Sequence, residues 1–377
     1  MEKSHKIAYV VRPAEGGIKT HLLSLLAGLD RIKYDPVVIC TPNTPLANAI
    51  TAMGIQVIPL AISDGMHPLR DVLAALRLRK ILKHVKPEIL HLHSVKAGLV
   101  GRLAVMSKRR PKVVVTMHSF VADERIGPAQ RELYGRIERY FLKYTDSLVT
   151  VSHALEKELI TEMGLPSDMI TVIYNGVEFH EVKKTPHPDI RIGSVSRLAP
   201  QKGIEYLIRA AALVMANRQD VIFQIVGDGP ERPVLASLRD SLGIREAVYF
   251  LGERKDIPEL LSTFDIFVQT STSEAFGLSV VEALSQEIPV VATRVGGIPE
   301  IIDDGRTGLL ADSRNARNIA DKILEMLSDL PRASQMGKDG AADVRERFTF
   351  ARMIQQTQDL YTDLLNRRPA RTIRRKK

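Results

Sequence analysis

A single cysteine, Cys40, stands in 377 residues. Its isolation excludes an intramolecular disulfide framework and a cysteine-based zinc cluster, and it suits a reducing compartment. Long hydrophobic runs are also missing. The first apolar stretch, 7–11 behind Glu2 and Lys3, is too short for a signal-peptide core. No later run reaches the roughly 18 apolar residues of a membrane span, so neither export nor a spanning helix is expected. Acidic residues are the minority charge: 53 Lys and Arg face 44 Asp and Glu, a formal charge of +9. Seven cations (Arg367, Arg368, Arg371, Arg374, Arg375, Lys376 and Lys377) crowd the last stretch without an acid, leaving the rest near +2. Such a tail reads as a solvated end or as a contact for an anionic membrane surface. The basic residues have no aromatic recognition motif among them, so nucleic acid is not an expected partner.

At 45% hydrophobic and 26% charged, the chain can bury a core. Its length suits two domains of roughly 100 to 200 residues each. Short, β-rich apolar runs lie at 7–11, 36–40, 55–60, 89–92, 113–116, 147–151 and 171–174. Helical patterns separate them at 18–29, 46–53, 68–84, 95–107, 128–143 and 153–162. The alternation restarts with strands at 191–195, 222–226, 248–251, 266–269, 289–292 and 308–310, and helices at 203–216, 230–242, 257–262, 278–285, 316–327 and 332–348. Continuous apolar strands fit parallel sheets covered on both faces, joined by right-handed crossovers. The fold class is therefore α/β. Residues 181–189 have linker composition, which divides the chain into domains 1–182 and 190–349. A helix at 350–365 is expected to pack back on the body, with a disordered tail over 366–377. Two open α/β domains create a cleft between the carboxyl ends of their sheets, where such folds bind ligands.

Four strand exits carry polar or glycine-rich patterns. After the first strand, Gly16 and Gly17 precede a helix and read either as a phosphate-binding turn or as a structural one; the GxGxxG dinucleotide fingerprint is absent. Arg197 and Lys202 share one strand-to-helix loop, where both can close on a diphosphate. Gly227, Asp228 and Gly229 permit close backbone passage, with Pro230 suited to the first helical position and Asp228 to a cap or to positioning across the cleft. Glu274, Ala275, Phe276, Gly277 and Leu278 lead into a helix whose first amides can face phosphate or sugar oxygens, and Glu282 follows about one turn later. His91 and His93 alternate on a strand with no cysteine or carboxylate set to complete a zinc site; they read as structural or cleft-lining, and no metal is expected.

Taken together, these motifs resemble the large retaining, nucleotide-sugar-dependent glycosyltransferase family four, with its GT-B fold of two facing Rossmann-like domains. Gly16 and Gly17 match its amino-domain glycine loop, and residues 295–300 match its later glycine turn. The resemblance implies that Glu282 binds nucleotide ribose and that Arg197 and Lys202 stabilise the departing diphosphate. Glu274 and the backbone from Ala275 to Leu278 address the sugar, Gly16 and Gly17 approach the donor phosphate, and His118 contacts the transferred sugar. Gly227 and Asp228 belong to the donor-binding set. The implied donor is a nucleotide-diphosphate sugar, a UDP-sugar first, with no compulsory metal and no separate cofactor. A glycan or lipid-linked acceptor, cell-surface polysaccharide or glycolipid synthesis, and a setting in the cytoplasm or peripheral on the inner face of the cell membrane follow from the same resemblance. Residues 120–131, with Asp123, Glu124, Arg125 and Gln130, are the expected acceptor region. The stretch 68–86 interleaves Arg70, Arg77, Arg79, Lys80, Lys83 and Lys86 with leucines, valines and an isoleucine; it reads as a membrane-facing helix or as an ordinary half-buried one, and Lys108, Arg109, Arg110 and Lys112 extend the positive field. A nucleotide-sugar epimerase and a non-catalytic nucleotide-sugar binding protein are the alternatives.

Overall fold

The computed structural model describes residues 4–13, 16–63, 65, 67–107, 110–119, 127–179 and 187–367. The expectations for Lys108 and Arg109, for 120–126, for most of the linker and for the tail beyond Arg367 fall outside them. The first sheet has seven parallel strands: β1 (His5–Val11), β2 (Tyr34–Cys40), β3 (Gln56–Pro59), β4 (Ile89–His93), β5 (Lys112–Met117), β6 (Ser147–Thr150) and β7 (Ile170–Val172). Their spatial order is β3-β2-β1-β4-β5-β6-β7. Helices α1 (Gly17–Gly28), α2 (Pro45–Ala52), α3 (Pro68–Val85), α4 (Val95–Ala104), α5 (Pro128–Phe141) and α6 (His153–Thr161) form the crossovers. Both faces of the central strands are covered, which is why Ile7–Val11 and Ile89–His93 are buried throughout and read as unbroken apolar runs.

The second sheet has β8 (Ile190–Val195), β9 (Val221–Val226), β10 (Val248–Gly252), β11 (Ile266–Gln269), β12 (Val290–Thr293) and β13 (Leu309–Ala311), ordered β10-β9-β8-β11-β12-β13. Around it run α7 (Ile204–Met215), α8 (Arg232–Ser241), α9 (Ile257–Leu261), α10 (Leu278–Ser285), α11 (Ala316–Ser328) and α12 (Leu330–Arg347). In each sheet the strand order reverses at one point, between β1 and β4 and between β8 and β11. The loops leaving those strands diverge to opposite faces and open a crevice at the carboxyl ends. The last helix, α13 (Phe350–Asn366), returns to the first domain and buries Met353, Ile354, Tyr361 and Leu364 in its core. Tyr361 donates to the Tyr9 hydroxyl at 3.2 Å and lies 2.5 Å from Nδ1 of His91.

Candidate functional site

The switch point of the second sheet assembles most of the expected donor side. β8 and β11 are neighbours although 72 residues separate Lys202 from Glu274, so the loops that follow them lie side by side. Lys202 Nζ donates to Glu274 Oε2, which also accepts from Ser271 Oγ at 3.1 Å. Ser271 is held in turn by Gln269 Nε2 at 2.7 Å, and its carbonyl accepts from Thr293 Oγ1 at 2.5 Å. The two loops are also joined by backbone, with Thr272 N–H donating to the Gln201 carbonyl at 2.9 Å. Gly203 makes this approach possible: its φ is +59°, and a Cβ there would stand 2.2 Å from the Thr270 carbonyl oxygen.

Gly227 plays the same part at the exit of β9, since a Cβ on it would meet the Ser196 carbonyl at 2.0 Å. Asp228 accepts from its neighbour Gly229 N–H at 2.7 Å and from Arg232 Nη1 at 3.2 Å, so its carboxylate is engaged within its own turn. Helix α8 starts at Arg232 rather than at 230, and Pro233, not Pro230, occupies its opening turn. Arg197 is exposed, and among the described residues no side-chain partner holds it. Ala275 and Phe276 are buried, so what they offer a ligand is backbone. Gly277, at φ +117°, turns the chain into α10, which opens without a side-chain cap. One turn in, Glu282 is half-buried, with no hydrogen-bond partner for its carboxylate among the described residues. Desolvation pushes its acid up to about 7.

The first domain contributes a matching helix end. Gly16 sits at φ +59° as the N-cap of α1, which likewise has neither a side-chain cap nor an acid in its first turn. A Cβ on Gly17 would lie 3.4 Å from Leu278 Cδ1, so the starts of α1 and α10 meet across the domain junction. Both present unpaired N–H groups and the positive end of the helix dipole to the same place. His118 follows β5 and is half-buried, with Nε2 3.1 Å from His93 Nδ1. His21, on α1, joins this pair, its ring centroid 4.7 Å from that of His118. The sequence reading missed His21 and considered only His91 and His93 as possible ligands. His91 is occupied on both nitrogens, by Tyr361 and by Thr116 Oγ1 at 2.6 Å. No local spacing signals the His21 grouping, because His21 follows β1, His93 ends β4 and His118 follows β5.

Rossmann-like domains meeting at the carboxyl ends of two parallel sheets put the molecule in the GT-B class. Residues 15–181 match the family model described as Glycosyltransferase Family 4, and residues 177–343 match Glycosyl transferases group 1. The chain belongs to the group 1 glycosyl transferases and is a hexosyltransferase-type enzyme. It is 28% identical over 312 residues to N-acetyl-alpha-D-glucosaminyl L-malate synthase of Bacillus anthracis, covering 79% of this chain and 81% of that protein. It is 26% identical over 386 residues to UDP-Gal:alpha-D-GlcNAc-diphosphoundecaprenol alpha-1,3-galactosyltransferase of Escherichia coli, covering 97% and 99%. The crystal structure of Anabaena Alr3699/HepE in complex with UDP and glucose has the same fold, with a TM-score of 0.83 at 23% identity over 95% of this chain and 99% of that one.

Proposed function

We propose that the enzyme moves a hexose, with retention, from a UDP-sugar to a glycan or lipid-linked acceptor of cell-surface polysaccharide or glycolipid synthesis. The reading is carried by the meeting of two uncapped helix starts, α1 and α10, with Lys202 tied through Glu274 to the loop that opens α10. Loss of a nucleoside diphosphate puts negative charge on the leaving oxygen and positive charge on the anomeric carbon. Fixed amides and cations lower that barrier because they need no reorganisation as the charge develops. In this reading Arg197 and Lys202 hold the diphosphate, while Glu282 accepts from the ribose hydroxyls. Glu274, the backbone of Ala275 to Leu278, and His118 contact the sugar. Gly16 and Gly17 admit the phosphates, and Gly227 and Asp228 shape the neighbouring loop. Charge neutralisation by these groups requires no metal, and a donor phosphate oxygen takes the acceptor proton on the front face.

Exposed apolar side chains support work at the inner face of a membrane. On α3, Leu69, Val72, Leu73 and Leu76 form an i, i+3, i+4, i+7 stripe, with exposures of 83%, 50%, 55% and 53%. Arg70, Arg77, Arg79, Lys80 and Lys83 are exposed on the same helix. An apolar stripe flanked by cations suits insertion at an anionic lipid surface.

A mass-resolved panel of sugar donors against membrane glycolipids and soluble sugars tests the transfer. A donor-dependent product is expected, with its rate reduced about 30-fold to 1,000-fold in Arg197→Ala, the equivalent of roughly 2 to 4 kcal/mol. An isomerised free sugar without any acceptor product, or full turnover in folded Arg197→Ala and Glu282→Ala, would sink the reading. Flotation with vesicles containing anionic lipid is expected to carry the wild type and to leave Leu73→Glu in solution; equal flotation of both defeats the α3 contact.

A further inference from the structure

Three histidines from separate crossovers converge at the carboxyl end of the first sheet. His21 comes from α1, His93 ends β4, and His118 follows β5; one ring nitrogen of each lies within 4.8 Å of one in both others. The set is asymmetric in a way that favours ligation. Asn175, itself buried, places its amide oxygen 2.8 Å from His21 Nδ1. An amide oxygen only accepts, so Nδ1 carries the hydrogen and the lone pair is left on Nε2. Metal-bound histidines are typically oriented in this way, by a neighbouring acceptor on the other ring nitrogen. His93 and His118 already stand 3.1 Å apart, close to the spacing of two nitrogens sharing an ion at about 2.1 Å each.

We propose that His21, His93 and His118 form a three-histidine site for a divalent transition ion of the zinc class, oriented through Asn175. Imidazole nitrogens without a carboxylate suit zinc, copper or nickel rather than magnesium or calcium. Three protein ligands leave a fourth position for water or a ligand group. The ion is an accessory that the transfer reaction does not need. Its consequence rests on the function proposed above: an ion bound to His118 withdraws that ring from the donor sugar, so loading the site slows transfer.

The test uses the full chain, stripped with chelator and titrated with Zn²⁺ by equilibrium dialysis and with Co²⁺ by visible absorption. Wild type is expected to bind one equivalent and to show the intense bands of four-coordinate Co²⁺. Affinity should fall about tenfold or more in Asn175→Ala. The bands should vanish in His21→Ala and His93→Ala and persist in His5→Ala, which alters a half-buried histidine outside the group. Circular dichroism establishes that each variant is folded. Absence of the bands in wild type, or equal binding by wild type, Asn175→Ala and His21→Ala, overturns the site. Zinc should also inhibit wild-type transfer more than that of His21→Ala. A bound ion that leaves wild-type turnover unchanged upholds the site and removes His118 from contact with the sugar.

Discussion

Glu282 shows how one side chain couples the site to pH. Desolvation without a partner raises its acid to about 7, so the free enzyme holds this proton well above the usual carboxylate range. In the function proposed above, ribose hydroxyls donate to this carboxylate and bind its ionised form. Donor binding should therefore weaken as pH falls below about 7, by about tenfold per unit for one linked proton. Calorimetry of UDP binding across pH 5 to 8 should show this slope in wild type and a flat profile in Glu282→Gln. The stability effect has the opposite sense: a raised folded-state pKa means that the apo fold loses stability as pH rises through about 5 to 7, and Glu282→Gln removes that loss. The positions of Arg197, Lys202 and Glu274 at strand exits, and of Glu282 one turn into the helix that follows, were legible because each lies close to a strand end and a helix start. The Lys202 to Glu274 contact was not, since nothing local announces that β8 and β11 are neighbours.

Among the elements, the continuous apolar strands were the most legible, because burial on both faces leaves no polar alternation to confuse them. The start of α8 was misplaced for a local reason. Leu198 N–H donates to the Asp228 carbonyl at 2.9 Å and Asp228 folds back on Gly229 N–H, so the turn is consumed by the neighbouring loop before the helix begins. Helices α4 and α5 are joined by an interaction that composition does not reveal. Arg102, fully buried, makes paired 2.7 Å bonds from Nη1 and Nη2 to the two carboxylate oxygens of Glu138, and its Nε donates to the Gly98 carbonyl at 2.8 Å. Glu138→Ala strands that guanidinium in the core, at a cost of about 3 to 5 kcal/mol; Arg102→Met with Glu138→Leu should recover most of it. Urea unfolding of the single and double variants measures the difference. A single-variant loss below about 1 kcal/mol contradicts the assignment.

Across the whole molecule, Glu300 links the two domains. It is the last residue of the 295–300 glycine turn, and its carboxylate accepts from His153 N–H at 2.9 Å and Ala154 N–H at 2.6 Å, at the start of α6 in the other domain. Tyr174 donates to it at 2.8 Å, and burial followed by this bond holds the Tyr174 phenol well above its ordinary value. A carboxylate at a helix start is favoured both by the free N–H groups and by the dipole. Beside it, the rings of Tyr174, Phe276 and Phe348 pack together from both halves, with centroids 5.1 to 5.7 Å apart. Glu300→Ala should lower the unfolding free energy by about 2 kcal/mol and loosen the domain junction. Limited proteolysis and chemical unfolding check the two effects separately; an unchanged midpoint and unchanged cleavage refute the link.

The sequence by itself determined the α/β class, the two alternating halves, the glycine-bearing strand exits and the uneven charge. Each of these follows from a period, a run or a backbone requirement written within a few neighbouring residues. Tertiary structure alone decided that Lys202 pairs with Glu274, that Glu300 caps a helix of the opposite domain, and that His21, His93 and His118 share one place. Those meetings depend on strand order, and parallel strands joined by crossovers bring together residues whose separation along the chain bears no relation to their distance in space.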